Sequence, residues 1–229
     1  MSEIPIVALH GNVGTADDWA RLGIPNLEAL DLWSFSDLSL DEFSMFLAEE
    51  LVDKDERPLI AGYSLGGRLA LESMARFPER WSGAVILSAN PGLSDAAGRK
   101  TRFSADEEWA QKVRTVQWSD FLKEWNAQPI LAGCPISEGQ TALESRREAV
   151  AMGFDYWSLG HQGDLREALK SFKAPVLWIS GENDSKYRAF GEEMADVFED
   201  YRHVVLADHG HRCLSPAAAA AIADWRADQ

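Results

Sequence analysis

Leu59-Ile60-Ala61-Gly62-Tyr63-Ser64-Leu65-Gly66-Gly67-Arg68-Leu69-Ala70-Leu71 carries an apolar stretch into a serine set among glycines, then into a helix-forming segment that continues to Phe77. Strand, tight turn and helix in succession put Ser64 at the apex of a strand-to-helix elbow. Such a turn leaves no room for side chains two residues to either side, which accounts for Gly62 and Gly66. Ser64 then stands at a helix N-terminus, where free backbone N–H groups and the helix dipole favour a developing negative charge. The competing reading is an ordinary glycine-rich turn capped by a serine. The strand before and the helix after argue for a reactive serine presented to an oxygen-bearing carbon.

Outward from the elbow, short apolar runs predict strands over 4–9, 27–32, 59–63, 84–87, 176–180 and 203–206. Helix-length segments at 40–51, 65–77, 187–198 and 217–225 alternate with them. This alternation predicts an α/β fold, a mostly parallel sheet flanked by helices and joined by right-handed crossovers. It breaks between residues 94 and 173, where helical patterns at 107–113 and 118–125 run on with no strand between them. The expected organisation is a core of residues 1–93 and 174–229 with a helical cap, 94–173, over the carboxyl ends of the strands.

The chain of 229 residues, 46% hydrophobic, is long enough for one compact core. A net charge of −15 disfavours nucleic acid and anionic membrane as partners, because the summed field repels phosphates. An anionic substrate therefore requires locally gathered arginines. The two cysteines, Cys134 and Cys213, make no disulfide framework or metal-ligand spacing and read as reduced thiols. Met1-Ser2-Glu3 lacks the basic start of a leader, and no run approaches a membrane span, so a cytoplasmic location is expected. Oligomeric state is left open by the sequence.

A reactive serine needs a base, and the base an orienting carboxylate, following in the order serine, acid, histidine. Asp184 comes in Ser180-Gly181-Glu182-Asn183-Asp184, after the apolar run 175–179. Considered alone it reads as a turn or capping residue, but its position one strand before the last makes it the candidate acid. After the last strand, Ala207-Asp208-His209-Gly210-His211 offers two histidines. A glycine directly before the ring selects His211, whereas spacing counted back from Pro216 selects His209. Of the two, His211 is preferred. Near the N-terminus, Leu9-His10-Gly11-Asn12 ends the first strand where an oxyanion hole must form. Its expected donors are the backbone N–H groups of Asn12 and Leu65, with His10 bracing the loop.

Beyond these signals the chain resembles the family of 2-succinyl-6-hydroxy-2,4-cyclohexadiene-1-carboxylate (SHCHC) synthases, pyruvate-eliminating lyases of menaquinone biosynthesis with the α/β-hydrolase fold. The resemblance rests on His10-Gly11 with Trp19, on Gly62 to Leu71, on Pro91-Gly92-Leu93, and on Arg102 with Asp106 and Trp109. It extends through Trp125 with Gln128-Pro129, Gln162, and Gly181-Glu182-Asn183-Asp184-Ser185-Lys186-Tyr187. It implies proton abstraction by Ser64, assisted by His211 and Asp184, and elimination of pyruvate with no metal or organic cofactor. The implied partner is a small anionic polycarboxylate, with Arg68 and Arg102 as its clamps and Tyr63 and Trp125 lining the pocket. Arg68 lies one turn beyond Ser64 on the same helix face, although an exposed pair with Glu72 is also open to it. Arg146 and Arg147 are further candidates for a third carboxylate contact. With the His-Gly strand so near residue 1, the leading β-hairpin of larger relatives is not expected, and Leu214 stands where relatives often carry an acid. A carboxylesterase working through an acyl-serine is the alternative within the fold, and a non-catalytic binding protein is the alternative outside enzymes.

Overall fold

The computed structural model describes residues 4–51 and 57–229. Met1-Ser2-Glu3, on which the reading of the N-terminus rests, lie outside the described residues. Six strands, β1 Ile6–Leu9, β2 Leu27–Leu30, β3 Leu59–Tyr63, β4 Gly83–Leu87, β5 Val176–Gly181 and β6 Tyr201–Leu206, form one sheet in the order β2-β1-β3-β4-β5-β6. Every pairing is parallel, with Ala8 beside Ala61 and Ala61 beside Val85. The fold is therefore α/β, a parallel sheet flanked by helices. Side chains alternate across the pleat, so Ile6, Ala8, Leu59, Ala61 and Leu177 face one layer, while Val7, Leu9, Ile60, Ile86 and Trp178 face the other.

The helices of the sheet are α1 Asp17–Ala20, α2 Leu40–Phe46, α3 Leu65–Arg76, α8 Ser185–Glu193 and α9 Pro216–Ala227. Trp19 of α1 and Ile222 and Trp225 of α9 pack on the first face, and α2 and α3 on the second. Local signals set their ends. Ser39 and Glu42 form a reciprocal capping box at the start of α2, and Ser215 caps α9 ahead of Pro216. Several elements differ from the sequence expectation at their ends: β1 begins at Ile6, β6 begins at Tyr201, and the helix expected at 187–198 is Ser185–Glu193 followed by a 3-10 turn at Met194–Asp196. The second strand stops at Leu30 because Asp31 caps a short 3-10 turn, and the 40–51 helix widens to a π-helical turn at Leu47–Leu51.

Between β4 and β5 the chain adds no strand to the sheet. It folds into α4 Ala96–Thr115, α5 Trp118–Asn126, α6 Arg147–Tyr156 and α7 Arg166–Leu169, with α4 against α6. The apolar pattern at 107–113 is only part of α4, which spans 20 residues. Its first half is polar on most faces, so no periodicity announces it. The start is marked by Asp95, whose side chain accepts from the Gly98 N–H. No helix among the described residues is long and apolar enough to cross a membrane.

Candidate active site

The loops leaving β1, β3, β4, β5 and β6 converge at one end of the sheet. Ser64 sits between β3 and α3 with φ 53° and ψ −108°, a conformation costly for any residue with a side chain. It is held from both sides. Its N–H donates to the Leu87 carbonyl, 2.9 Å, and its carbonyl accepts from the Arg68 N–H, 3.0 Å. A Cβ at Gly62 would stand 2.3 Å from the Gly66 carbonyl oxygen, and one at Gly66 would stand 2.2 Å from that of Leu9. Val13, Ser88 and Asp208 also have positive φ, so among the described residues four of the five non-glycine residues of this kind follow strand ends at this site. Strain of about 1–3 kcal/mol apiece persists only where surrounding contacts over-determine it.

Ser64 Oγ lies 2.9 Å from His211 Nε2, and His211 Nδ1 lies 2.8 Å from Asp184 Oδ2. Both partners are buried. The loops carrying Asp184 and His211 are joined to each other: Asn183 N–H donates to the His209 carbonyl at 2.8 Å, and the Glu182 side-chain carboxylate accepts from the Asp208 N–H. A Cβ on Gly181 would stand 2.3 Å from the His209 oxygen, which shows how closely the loops approach. His209 itself is turned away. Its Nδ1 contacts the Ala207 carbonyl and its Nε2 contacts Ser215 Oγ, so it braces the start of α9 rather than lying free in solvent. The turn leading into the two histidines has its positive φ at Asp208, 60°, and not at Gly210 between them. Gly210 instead leaves room for Cys134, whose sulfur would be 2.8 Å from an added Cβ.

Across the elbow, Gly11 and Gly14 close a turn with Asn12 and Val13 at its centre. The Leu65 N–H belongs to the first residue of α3 and has no preceding turn to bond, while the next amide, of Gly66, donates to the His10 carbonyl. Asn12 and Leu65 line the same cavity as Ser64. His10 is wholly buried, with Nδ1 against the Gly11 carbonyl at 2.9 Å and Nε2 accepting from the Leu32 N–H at 3.1 Å. Burial lowers its pKa, and with both nitrogens engaged it acts as a neutral brace. Trp19 and Trp33 donate from their indoles to the Leu9 and Gly14 carbonyls, fixing the loop at either end.

Above Ser64 is a cavity of about 350 Å³ that residues of α3, α4 and α5 help to line. Arg68, Arg102, Tyr63 and Trp125 all border it. Arg68 is buried and its guanidinium donates to the Trp157 carbonyl, 2.7 Å, and to Gln162, 3.4 Å. Glu72 pairs with Arg76 instead, so the exposed Arg68–Glu72 pair does not form. Burial first, then the neighbouring Arg102, lower Arg68 to about 10, which leaves it charged at neutral pH. Arg102 donates through Nε to both oxygens of Asp106, and Ser158 donates to the same carboxylate. Its two terminal nitrogens make no hydrogen bond among the described residues. Arg146 bonds Asp31 and Ser34, Arg147 bonds the Val113 and Val116 carbonyls, and neither borders the cavity.

Among the lining residues to which the sequence reading gave no role are Arg212, Arg21, Tyr187 and Asn90. Arg212, next to His211, borders the cavity while bonding Asn126 and the Pro135 carbonyl. Arg21 lies at its edge, paired with Asp18. The Tyr187 ring packs 4.4 Å from that of His211, and burial raises its phenol pKa. Asn90 follows β4 and is 1% exposed. Arg212 had a signal in its place beside the histidine and Tyr187 in the motif after Asp184; Arg21 and Asn90 are brought in only by folding.

A model of the alpha/beta hydrolase family matches residues 6–225. The SHCHC synthase of Enterobacter sp. (strain 638) is 33% identical over 94% of this chain and 88% of its own length, and that of Klebsiella pneumoniae is 27% identical over 93% and 89%. Among solved structures, MenH from S. aureus superposes with a TM-score of 0.83 at 21% identity, covering 100% of this chain and 92% of that one. A thermophilic esterase from Thermogutta terrifontis follows the same fold with a TM-score of 0.76 at 18% identity, over 98% and 90%. The chain belongs to the alpha/beta hydrolase family and, within it, groups with the 2-succinyl-6-hydroxy-2,4-cyclohexadiene-1-carboxylate synthases.

Proposed function

We propose that this protein is a lyase that eliminates pyruvate from 2-succinyl-5-enolpyruvyl-6-hydroxy-3-cyclohexene-1-carboxylate, forming SHCHC in the cytoplasmic synthesis of menaquinone. The observation that carries the reading is the cavity over Ser64, bordered by Arg21, Arg68, Arg102 and Arg212 in a chain of net charge −15. Two acids on its wall, Asp18 and Asp106, are already paired. A tricarboxylate is the ligand such a wall suits, since guanidinium forks match carboxylates in shape and charge. The 94–173 segment acts as a cap that brings Arg102 and Trp125 over the elbow.

In this mechanism Ser64 passes its proton to His211 Nε2 and takes the C–H proton beside the succinyl carbonyl. Asp184 holds the imidazole in the productive tautomer and stabilises the imidazolium. Electrons from the C–H bond move to the carbonyl oxygen, and the enolate is held by the Asn12 and Leu65 N–H groups. Collapse of the enolate breaks the bond to the enolpyruvyl oxygen, His211 returns its proton to the departing group, and pyruvate leaves. Arg68 and Arg102 orient the ring and the leaving carboxylate so that the C–H faces Ser64.

Purified protein given freshly generated precursor is expected to release pyruvate stoichiometrically, followed by a coupled dehydrogenase. An absence of pyruvate alongside rapid p-nitrophenyl ester hydrolysis would replace the lyase with an acyl-serine esterase, which the same triad can serve.

A further inference from the structure

Seven buried side-chain nitrogen or oxygen atoms lack a hydrogen-bond partner among the described residues. Only Asn90 Nδ2 and Trp125 Nε1 belong to residues bordering the cavity, and of these two residues Asn90 alone is buried. Its orientation is not free. Oδ1 accepts from the Gly92 N–H at 2.9 Å, which assigns the oxygen to the chain and leaves the amide nitrogen as the other end. That hydrogen bond shapes a tight turn, for Gly92 has φ 104° and an added Cβ would stand 1.8 Å from the Gly163 oxygen. The turn is anchored beyond Asn90 by Leu165 N–H donating to the Pro91 carbonyl and by Leu93 pairing with Gly163.

Asn90 is also fixed relative to the elbow. Ser64 N–H donates to Leu87, at the end of β4, and Ala89 packs so closely on α3 that its methyl would meet a Gly67 Cβ at 2.7 Å. On the other side, the Leu93 N–H reaches the carbonyl of Gln162, whose side chain contacts Arg68. The turn that carries Asn90 is thus tied on one side to the serine turn and on the other, through Gln162, to the buried guanidinium. A side chain needed only for the turn requires an acceptor, which serine or aspartate also supplies. Asparagine adds a second N–H group, without a partner among the described residues, on a residue that borders the cavity, and a buried donor without a partner is costly unless a ligand satisfies it.

We infer that Asn90 is a substrate-binding residue whose Nδ2 donates to a carboxylate oxygen of the anion on the Arg68 side of the cavity. It adds a neutral donor where Arg68 and Arg102 already repel each other, so the carboxylate is gripped without a further cation. This inference rests on the anionic ligand class proposed above, and extends it by a residue that fixes which way the carboxylate turns.

The test uses Asn90→Ser, whose shorter hydroxyl keeps an acceptor for the Gly92 N–H while removing the amide NH₂ group and adding no charge. Two readouts are compared with the wild type: KM for the tricarboxylate in pyruvate release, and the succinate concentration that half-protects Ser64 from a serine-directed phosphonate. Loss of one hydrogen bond to a charged oxygen should raise both about 10- to 150-fold. The rise in KM should exceed any fall in p-nitrophenyl acetate turnover, a split that simple loosening of the turn would not produce. Wild-type KM and wild-type succinate protection in the variant would overturn the assignment. Should Asn90→Ser unfold, Asn90→Thr keeps the hydroxyl acceptor and is judged by the same readouts. If the wild type released no pyruvate but the variant still lost succinate protection, the lyase reading would fall and the Asn90 contact would stand. Pyruvate release by both proteins with the same KM would leave the lyase standing and remove the Asn90 contact.

Discussion

Replacing Gly66 by alanine tests whether the elbow and the first-strand loop form one unit. The new Cβ would lie 2.2 Å from the Leu9 carbonyl oxygen, 2.4 Å from its carbon and 2.6 Å from the His10 oxygen, whereas ordinary contact begins at 3.4 Å. All three obstacles are backbone, so no rotamer change relieves them, and α3 must part from the end of β1 by about 1 Å. Overpacking of this kind costs about 1–3 kcal/mol, or about 2–12 °C in Tm for a domain of this size. The same movement stretches the 3.0 Å bond from Gly66 N–H to the His10 carbonyl and separates Asn12 from Leu65. A misplacement of about 1 Å in a positioned site lowers turnover by roughly 100-fold. Pyruvate release, phosphonate labelling of Ser64 and thermal unfolding should therefore all be impaired in Gly66→Ala. Gly163→Ala, where an added Cβ meets nothing within 4 Å, is the matched control. A Gly66→Ala protein with wild-type kcat/KM and Tm would refute the argument that this glycine is sterically required.

Asp184→Asn should leave the fold intact and lower kcat by about 10⁴-fold, since the amide favours the wrong imidazole tautomer; retention of a tenth of the wild-type rate would remove Asp184 from the relay. Arg68→Lys is expected to raise KM for the tricarboxylate by about 10- to 100-fold, because an ammonium cannot keep the Trp157 and Gln162 contacts and also grip a carboxylate as a fork; an unchanged KM would end its role as a clamp. His10 gives a pH dependence of stability. Burial lowers its folded pKa from 6.5, so on acidification the unfolded chain binds the proton first. Stability from this group is complete above about pH 6.5 and falls below it by up to about 1.4 kcal/mol per pH unit until the folded ring protonates. Urea unfolding at pH 7.5 and 5.5 should show a shallower pH dependence in His10→Gln, and equal slopes in the two proteins would contradict a buried neutral imidazole.

The strand-turn-helix around Ser64 was legible because its signal is local. Steric exclusion at Gly62 and Gly66 acts over a few residues, and alternating apolar runs report a parallel sheet whatever covers it. The acid after β5 could be read the same way, from chain order. The first half of α4 could not, since a polar helix leaves no apolar period and only Asp95 marks its start. Arg146 and Arg147 looked available because sequence shows charge but not partners; folding commits one to Asp31 and Ser34 and the other to two carbonyls.

The sequence by itself determined the fold class, the strand-turn-helix setting of Ser64 and the need for gathered arginines in an acidic chain. Only the tertiary structure decided between the two histidines, turning His211 toward Ser64 and His209 toward Ser215. It also brought Arg21, Asn90 and Arg212 to one cavity from three distant stretches of chain. The physical reason is range. Backbone sterics and periodicity are properties of neighbours in sequence, whereas a ring's direction and a cavity's charge depend on groups that meet only when the sheet has closed.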